Sequence, residues 1–488
     1  MKEHHAQTIQ ARLIPPPQKF TAKDYSVWSV RDGAAIRLLA PMQDAAETVT
    51  RFFRIHFHAE IAVEQQNTVS ALPPEGYKLD VSQDCCTISA DTLQGLRYAL
   101  HTIRQLAESE RGVLTSRRKQ LPCVAIEDYP ATAFRGIHLC WFPETPVWEI
   151  ERQIRLAAYY KFNYAVIESW GVLKFDRHPE FCWQEYAVEK AEFRRLIKLG
   201  DDLGIRLVPQ LNLFGHATCA RLGAGKHMLL DQHPEYEPLF EPDGWTWCIS
   251  NPAARQYLAE LVEELLDLYE NPPYFHIGCD EAYTPESCSM CMENYLEKLA
   301  DHIRFFHDML SSRGIKTMMW HDMLLAQEDP RWSGGYIACG HQAEGHDTLH
   351  TMLPKSIIIC DWQYNYPVCG KEEPEWLTST YLQSLGFPVV VCPWDDPKGG
   401  LSLGKCVVRA GLDGYLQTVW HHGTKSARLH PIFVQGAHGA WSPEVESPRD
   451  KYVYLNYHLR QLSQEMGLNK YHQFGSVQYQ VDSVPYQD

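Results

Sequence analysis

The chain has 488 residues and carries 61 acidic against 45 basic side chains, a formal net charge of −16. That excess disfavours nucleic acid and anionic membrane surfaces as partners, because both recruit clustered Lys and Arg, and no stretch approaches the roughly 20 apolar residues of a membrane span. The amino-terminal run MKEHHAQTIQARLIPPPQKF lacks the apolar centre of a signal peptide, and the 15 irregularly spaced cysteines read as reduced thiols, so the expected setting is cytoplasmic.

Residues 1–130 read as a small α+β domain. Ala34–Leu39 and Tyr77–Val81 are extended stretches. Leu93–Leu106 then sets Leu93, Leu96, Ala99, Leu100, Ile103 and Leu106 on one face, a helical spacing. Gly112–Gln120 is polar and basic, a loop, and Leu121–Pro130 reads as the hand-over to the next domain.

From residue 131 to 488 short apolar runs alternate with amphipathic helices. The strand candidates are Arg135–Leu139, Tyr164–Ile167, Arg206–Leu211, Tyr274–Gly278, Lys316–Trp320, Ile357–Cys360, Val389–Cys392 and Gly414–Val419. Helices at Phe193–Leu203, Arg255–Tyr269 and Tyr295–Leu310 fall between them. About eight such repeats predict an α/β fold, a (β/α)₈ TIM barrel behind the small α+β domain. The run Gly334–Cys339 fits either a ninth strand or a loop. Pro431–Trp441 is expected to be the last barrel helix, and Arg449–Met466 an outer amphipathic helix extending the barrel domain.

A parallel barrel concentrates its chemistry at the carboxyl ends of its strands. The fourth candidate strand ends in Tyr274-Phe-His-Ile-Gly-Cys-Asp280-Glu281. Two consecutive acids there must be solvated, paired or used. Glycosidic cleavage uses such a pair, one group to protonate the leaving oxygen and one to stabilise charge at the anomeric carbon. Neighbouring residues on a regular strand face opposite ways, but where strand becomes loop both carboxylates can turn into one pocket. The alternative is that one acid caps the following helix.

His276-Ile-Gly-Cys-Asp-Glu281 resembles the His-x-Gly-Gly-Asp-Glu signature of glycoside hydrolase family 20, the β-N-acetylhexosaminidases. The order of further segments carries the resemblance along most of the chain: Leu93–Leu106, Ile126-Glu-Asp-Tyr-Pro130 with Phe134-Arg-Gly-Ile-His138, Gly204–His216, Met319-Trp320 and Asp361-Trp362. The resemblance implies hydrolysis of a terminal β-linked N-acetylhexosamine with retention, assisted by the substrate's own 2-acetamido group. In that scheme Glu281 is the general acid/base with a raised pKa, and Asp280, with a lower one, orients the acetamido group. His216 tunes Glu281, Arg135 forks onto ring hydroxyls, and Trp320, Trp362 and Trp420 wall the pocket.

The sequence departs from the family at several positions. The first strand reads His-Leu-Cys-Trp where an Asp and a later Arg are usual, although Glu168 on the second strand offers an acid. Gln210 and Asn212 replace Glu and Asp. Pro393-Trp394-Asp-Asp396 occupies the place of a Tyr-x-Asp, so either Trp394 or Tyr364 takes over from the tyrosine, with Asp396 as the acid. His422 stands where a sugar-binding Glu is expected. That last change leaves the choice between GlcNAc and GalNAc open.

Cys288-Ser-Met-Cys291 is half of a zinc site, but no second pair follows at suitable spacing, so no metal is expected. His4-His5 and His421-His422 are too sparse for a metal, and no Gly-rich phosphate loop implies a cofactor. The expected partner is a carbohydrate, and homo-oligomerisation stays open. Two other readings are a glycosidase with a direct carboxylate nucleophile and a sugar-binding barrel without catalysis.

Overall fold

The computed structural model describes the chain apart from residues 1, 108–118, 221–224, 284–286, 365–374, 421–425, 448–450 and 469–488. The chain groups into two compact units. One comprises Met1–Ala133, Arg155–Phe162 and Phe433–Asp488, and the other Phe134–Ile154 and Asn163–Ile432.

The first unit holds α1 (Lys2–Gln10), β1 (Lys19–Ser29), β2 (Ala35–Leu39), α2 (Ala45–Phe57), β3 (Ala62–Gln66), β4 (Tyr77–Val81), β5 (Cys85–Ala90), α3 (Leu93–Ala107) and β6 (Gln120–Asp128). Its sheet runs β1-β6-β4-β5-β2-β3, antiparallel through β5 and parallel beyond. Strict alternation in β4 buries Tyr77, Leu79 and Val81 on one face. Val49, Phe53 and Phe57 of α2 share that core with Leu96, Ile103 and Leu106 of α3. The hand-over segment at Leu121 is therefore an inner strand of this sheet. Residues 112–118 of the expected loop lie outside the described residues.

The end of the chain differs from its expected assignment to the barrel. The buried Lys161 ammonium lies 2.8 Å from Asp128 Oδ2, and the Trp441 indole donates to Asp128 Oδ1 at 2.7 Å. A carboxylate that is 1% exposed needs such partners. Both donors therefore group with β6 in the first unit.

The second unit is a closed parallel barrel of eight strands. These are β7 (Phe134–Trp141), β8 (Tyr164–Ser169), β9 (Arg206–Gln210), β10 (Tyr274–His276), β11 (Lys316–Trp320), β12 (Ile358–Asp361), β13 (Val389–Val391) and β14 (Gly414–Gln417). All eight coincide with the expected strands to within a few residues. Helices α4 (Val147–Tyr159), α5 (Lys190–Leu203), α6 (Pro252–Leu268), α7 (Tyr295–Ser311), α8 (His346–Leu349), α9 (Leu377–Ser384), α10 (Pro397–Ala410) and α11 (Ser426–Trp441) follow them in turn, and α12 (Lys451–Glu465) ends the described chain. Gly334–Cys339 is a loop, ending where Gly340 bridges Ala326. No described helix is long and apolar enough to cross a membrane.

Candidate active site

The ladder of β10 ends at His276, and the backbone then leaves strand geometry. Gly278 and Cys279 take φ of 67° and 69°, and Glu281 takes 48°. These left-handed residues break the alternation that would send Asp280 and Glu281 to opposite faces. The turn is held from several sides. Gly278 N–H donates to His276 Nδ1 at 3.1 Å, and the Trp320 amide donates to the Gly278 carbonyl at 2.9 Å. Across the rim, a Cβ on Gly215 would lie 2.0 Å from the Asp280 carbonyl oxygen, so only glycine permits that approach.

Both carboxylates converge on one imidazole. His216 Nε2 lies 3.2 Å from Asp280 Oδ2 and 3.2 Å from Glu281 Oε2. The Asp280 side chain is 4% exposed and that of Glu281 28%, so the second acid reaches solvent and the first does not. Among the described residues, Asp280 Oδ1 has no hydrogen-bond partner.

The electrostatics follow from this arrangement. Burial disfavours a charged His216, but the two carboxylates outweigh it and hold the imidazole pKa well above 6.5. Burial lifts Asp280 above the usual carboxylate value; His216 pulls the other way, while the charges of Glu281 and Glu168 add to the rise. Burial also pushes Glu281 upward, yet the His216 hydrogen bond and charge, helped by the Tyr283 hydroxyl, carry it below 4.5. This reverses the expected order of the two acids. The reason is the imidazole standing between them and the deeper burial of Asp280.

Three residues that sequence reasoning missed fix Glu281. Asp322 Oδ2 accepts the Glu281 N–H at 2.9 Å, and its Oδ1 accepts the Trp362 indole N–H at 3.1 Å. Burial and the Asp280 charge push Asp322 up to about 7. The Trp245 indole donates to the Glu281 carbonyl at 2.7 Å, and its ring lies 4.5 Å from that of His216. Tyr283 stacks on Trp245 with ring centroids 6.0 Å apart. Only Asp322 carries a sequence signal, an acid two residues beyond a strand end.

The rings expected to wall the pocket lie near one another, at different depths. Trp420 lies 5.3 Å from Trp320 and 6.4 Å from Trp362. Tyr364 follows at 5.4 Å from Trp362, and Trp394 at 5.3 Å from Tyr364. The two candidates to replace the family tyrosine thus stand side by side. Trp320 is fully buried in the barrel core, 4.2 Å from His276, Trp362 is buried in the same cluster, and Tyr364 and Trp420 pack partly exposed against it.

Beneath the acids, Glu168 is buried and charged. His138 Nε2 stands 3.0 Å from Glu168 Oε2, off the alignment of a hydrogen bond, and Asn212 donates to Oε1 at 2.7 Å. Burial opposes ionisation there, but His138, His216 and Asn212 bring Glu168 down to about 2. Asn212 and Gln210 are joined at 3.2 Å. His138, Cys140 and Glu168 lie close enough to one another to offer donors to a cation.

Arg135 is placed away from the carboxylates, and Asp396 has a helix-capping role. Arg135 is the second residue of β7, at the amino end, paired in register with Tyr415. Six residues of strand, about 20 Å at roughly 3.3 Å per residue, separate it from Trp141 at the rim, so the guanidinium does not reach the carboxylates. Asp396 caps α10, its carboxylate accepting the Lys398 N–H at 2.9 Å. The cap engages Oδ1 and gives this carboxylate a structural role in the helix start. His422 lies outside the described residues.

Two family models match the chain. One, glycosyl hydrolase family 20, domain 2, matches residues 10–129, and the other, glycosyl hydrolase family 20, catalytic domain, matches residues 176–392. A β-hexosaminidase of Akkermansia muciniphila is 23% identical over 426 residues, covering 77% of this chain and 81% of that protein. A β-hexosaminidase of Vibrio furnissii is 23% identical over 449 residues, covering 79% and 70%. Among solved structures, the exo-β-N-acetylglucosaminidase of Vibrio harveyi in complex with N-acetylglucosamine superposes with a TM-score of 0.68 at 16% identity, over 94% of this chain and 78% of that one. The N-acetyl-β-hexosaminidase of Streptomyces plicatus gives 0.66 at 16% identity, over 93% and 96%. These superpositions carry the fold.

Proposed function

Because the chain belongs to glycoside hydrolase family 20, and is therefore a glycoside hydrolase, we propose that it is a retaining exo-β-N-acetylhexosaminidase acting on terminal β-linked GlcNAc or GalNAc by substrate assistance. One observation carries this reading: Asp280 and Glu281 converge on His216 while Asp280 keeps an unpartnered oxygen among the described residues.

A sugar's 2-acetamido N–H fits Asp280 Oδ1. Its carbonyl oxygen then attacks C1 as the C1–O bond to the leaving group breaks. The leaving oxygen takes from Glu281 a proton that His216 first hands to it, which leaves Glu281 ionised, so the site needs one shared proton rather than a permanently protonated glutamate. The same carboxylate then draws a proton from the water that opens the oxazolinium ion, giving retention. The aromatic cluster of Trp362, Tyr364, Trp394 and Trp420 suits the acetamido methyl and the sugar's apolar face. We extend the reading to GalNAc because His422 replaces the acid of the eighth strand and Arg135 is remote.

A panel of p-nitrophenyl β-glycosides tests it. Release is expected from the GlcNAc and GalNAc substrates and not from those of glucose and galactose. Comparable release from glucose would reject substrate assistance in favour of a carboxylate nucleophile. An inert protein would leave only the sugar-binding reading.

A further inference from the structure

A cluster of donors that the proposed reaction does not use lies beside the loop following Glu281. Two local structures build it. Residues 239–248 form a hairpin: Cys248 N–H donates to the Leu239 carbonyl at 2.9 Å, Glu241 N–H to the Thr246 carbonyl at 2.8 Å, and Phe240 bridges Trp247. This pairing sets Glu241 beside Cys248. A single turn over 288–292, with the Cys291 and Met292 amides donating to the Cys288 carbonyl at 3.0 and 3.2 Å, places Cys288 and Cys291 on one side.

The two meet. Cys248 Sγ lies 3.6 Å from Cys288 Sγ and 3.7 Å from Cys291 Sγ, and Glu241 Oε1 lies 3.4 Å from Cys288 Sγ. All four donor atoms fall within 4.8 Å of one another. Four ligands at the corners of a tetrahedron with zinc–sulfur bonds of about 2.3 Å have sulfurs about 3.8 Å apart, the spacing seen here. The carboxylate is oriented as a ligand requires: its other oxygen accepts the Cys288 N–H at 2.7 Å and the Ser287 hydroxyl at 3.3 Å. Three thiols facing a carboxylate that is 2% exposed form a donor set without a cation.

We propose that Cys248, Cys288 and Cys291, with Glu241 as fourth ligand, form a structural zinc site that ties the 239–248 hairpin to the loop after Glu281. The hairpin carries Trp245, which donates to the Glu281 carbonyl, so the metal fixes the position of the general acid without touching substrate. The site does not depend on which sugar the enzyme cleaves. The Cys-x-x-Cys pair lacks a second pair in sequence because its partners arrive from the hairpin, 40 and 47 residues earlier.

Full-length protein purified under reducing conditions from zinc-supplemented cells is expected to hold about one zinc per chain by elemental analysis, and the Cys288→Ser/Cys291→Ser double variant to hold none. Since that variant can fail to fold, wild-type protein stripped by a chelator provides a second measurement. Added Co²⁺ is expected to give thiolate-to-cobalt charge transfer with tetrahedral visible bands, and to protect three thiols from titration. Zinc-loaded protein without stoichiometric metal, Co²⁺ without thiolate bands, or a disulfide between Cys248 and either partner would each overturn the site.

Discussion

Asp322 holds Glu281 by its backbone, accepting the glutamate's N–H at 2.9 Å while its other oxygen takes the Trp362 indole at 3.1 Å. One buried carboxylate thereby locks both the left-handed turn under the general acid and a wall of the pocket. Asp322→Ala removes both acceptors at once. A hydrogen bond to a charged group contributes about 1.5–3 kcal/mol, so kcat/KM should fall about 10- to 100-fold with the circular dichroism spectrum retained. Wild-type kinetics in this variant would mean that the turn holds itself.

The shared proton gives a prediction in pH. With His216 raised by two carboxylates, the alkaline limb of kcat/KM reflects loss of its proton, well above 6.5. The acid limb reflects protonation of Asp280, itself above the usual carboxylate value. His216→Ala deprives Glu281 of the influence that lowers it and of the group that stores the proton. The alkaline limb should then move to lower pH, toward a buried carboxylate's own titration. An unmoved limb in pH-rate profiles would assign the proton elsewhere.

Gly215 meets the Asp280 carbonyl where a methyl group would lie 2.0 Å away. Gly215→Ala must push the catalytic loop outward, and a displacement on the order of 1 Å can cost about 10²-fold in rate. The expected signature is a fall in kcat larger than any change in KM. A fully active variant would show that the loop moves freely.

Arg135 separates a structural from a sugar-binding role. Buried at the amino end of β7, it should govern stability: Arg135→Lys is expected to lower unfolding free energy by about 1–3 kcal/mol and to leave KM at its wild-type value. A raised KM with unchanged thermal stability would return it to the site.

Most of the barrel was legible because parallel strands buried on both faces read as short apolar runs, as in Ile358–Asp361 and Val389–Val391. The acids were legible because adjacent charges at a strand end stand out. Trp245 was not, since it reaches the site through a hairpin whose pairing leaves no periodicity, and Tyr283 was not, since its place is set by stacking on Trp245. Arg135 misled because a motif match locates a residue along the chain and not along the barrel axis. The ordering of the two acids depended on His216 standing between them, a distance that sequence does not contain.

Whether the nucleophile belongs to the substrate is measured directly by a series of p-nitrophenyl glycosides bearing acetyl, fluoroacetyl, difluoroacetyl and trifluoroacetyl groups on the 2-amine. Each fluorine weakens the amide carbonyl, so kcat/KM should decline steeply and log-linearly along the series. A flat series would place the attacking oxygen on the protein and contradict the mechanism.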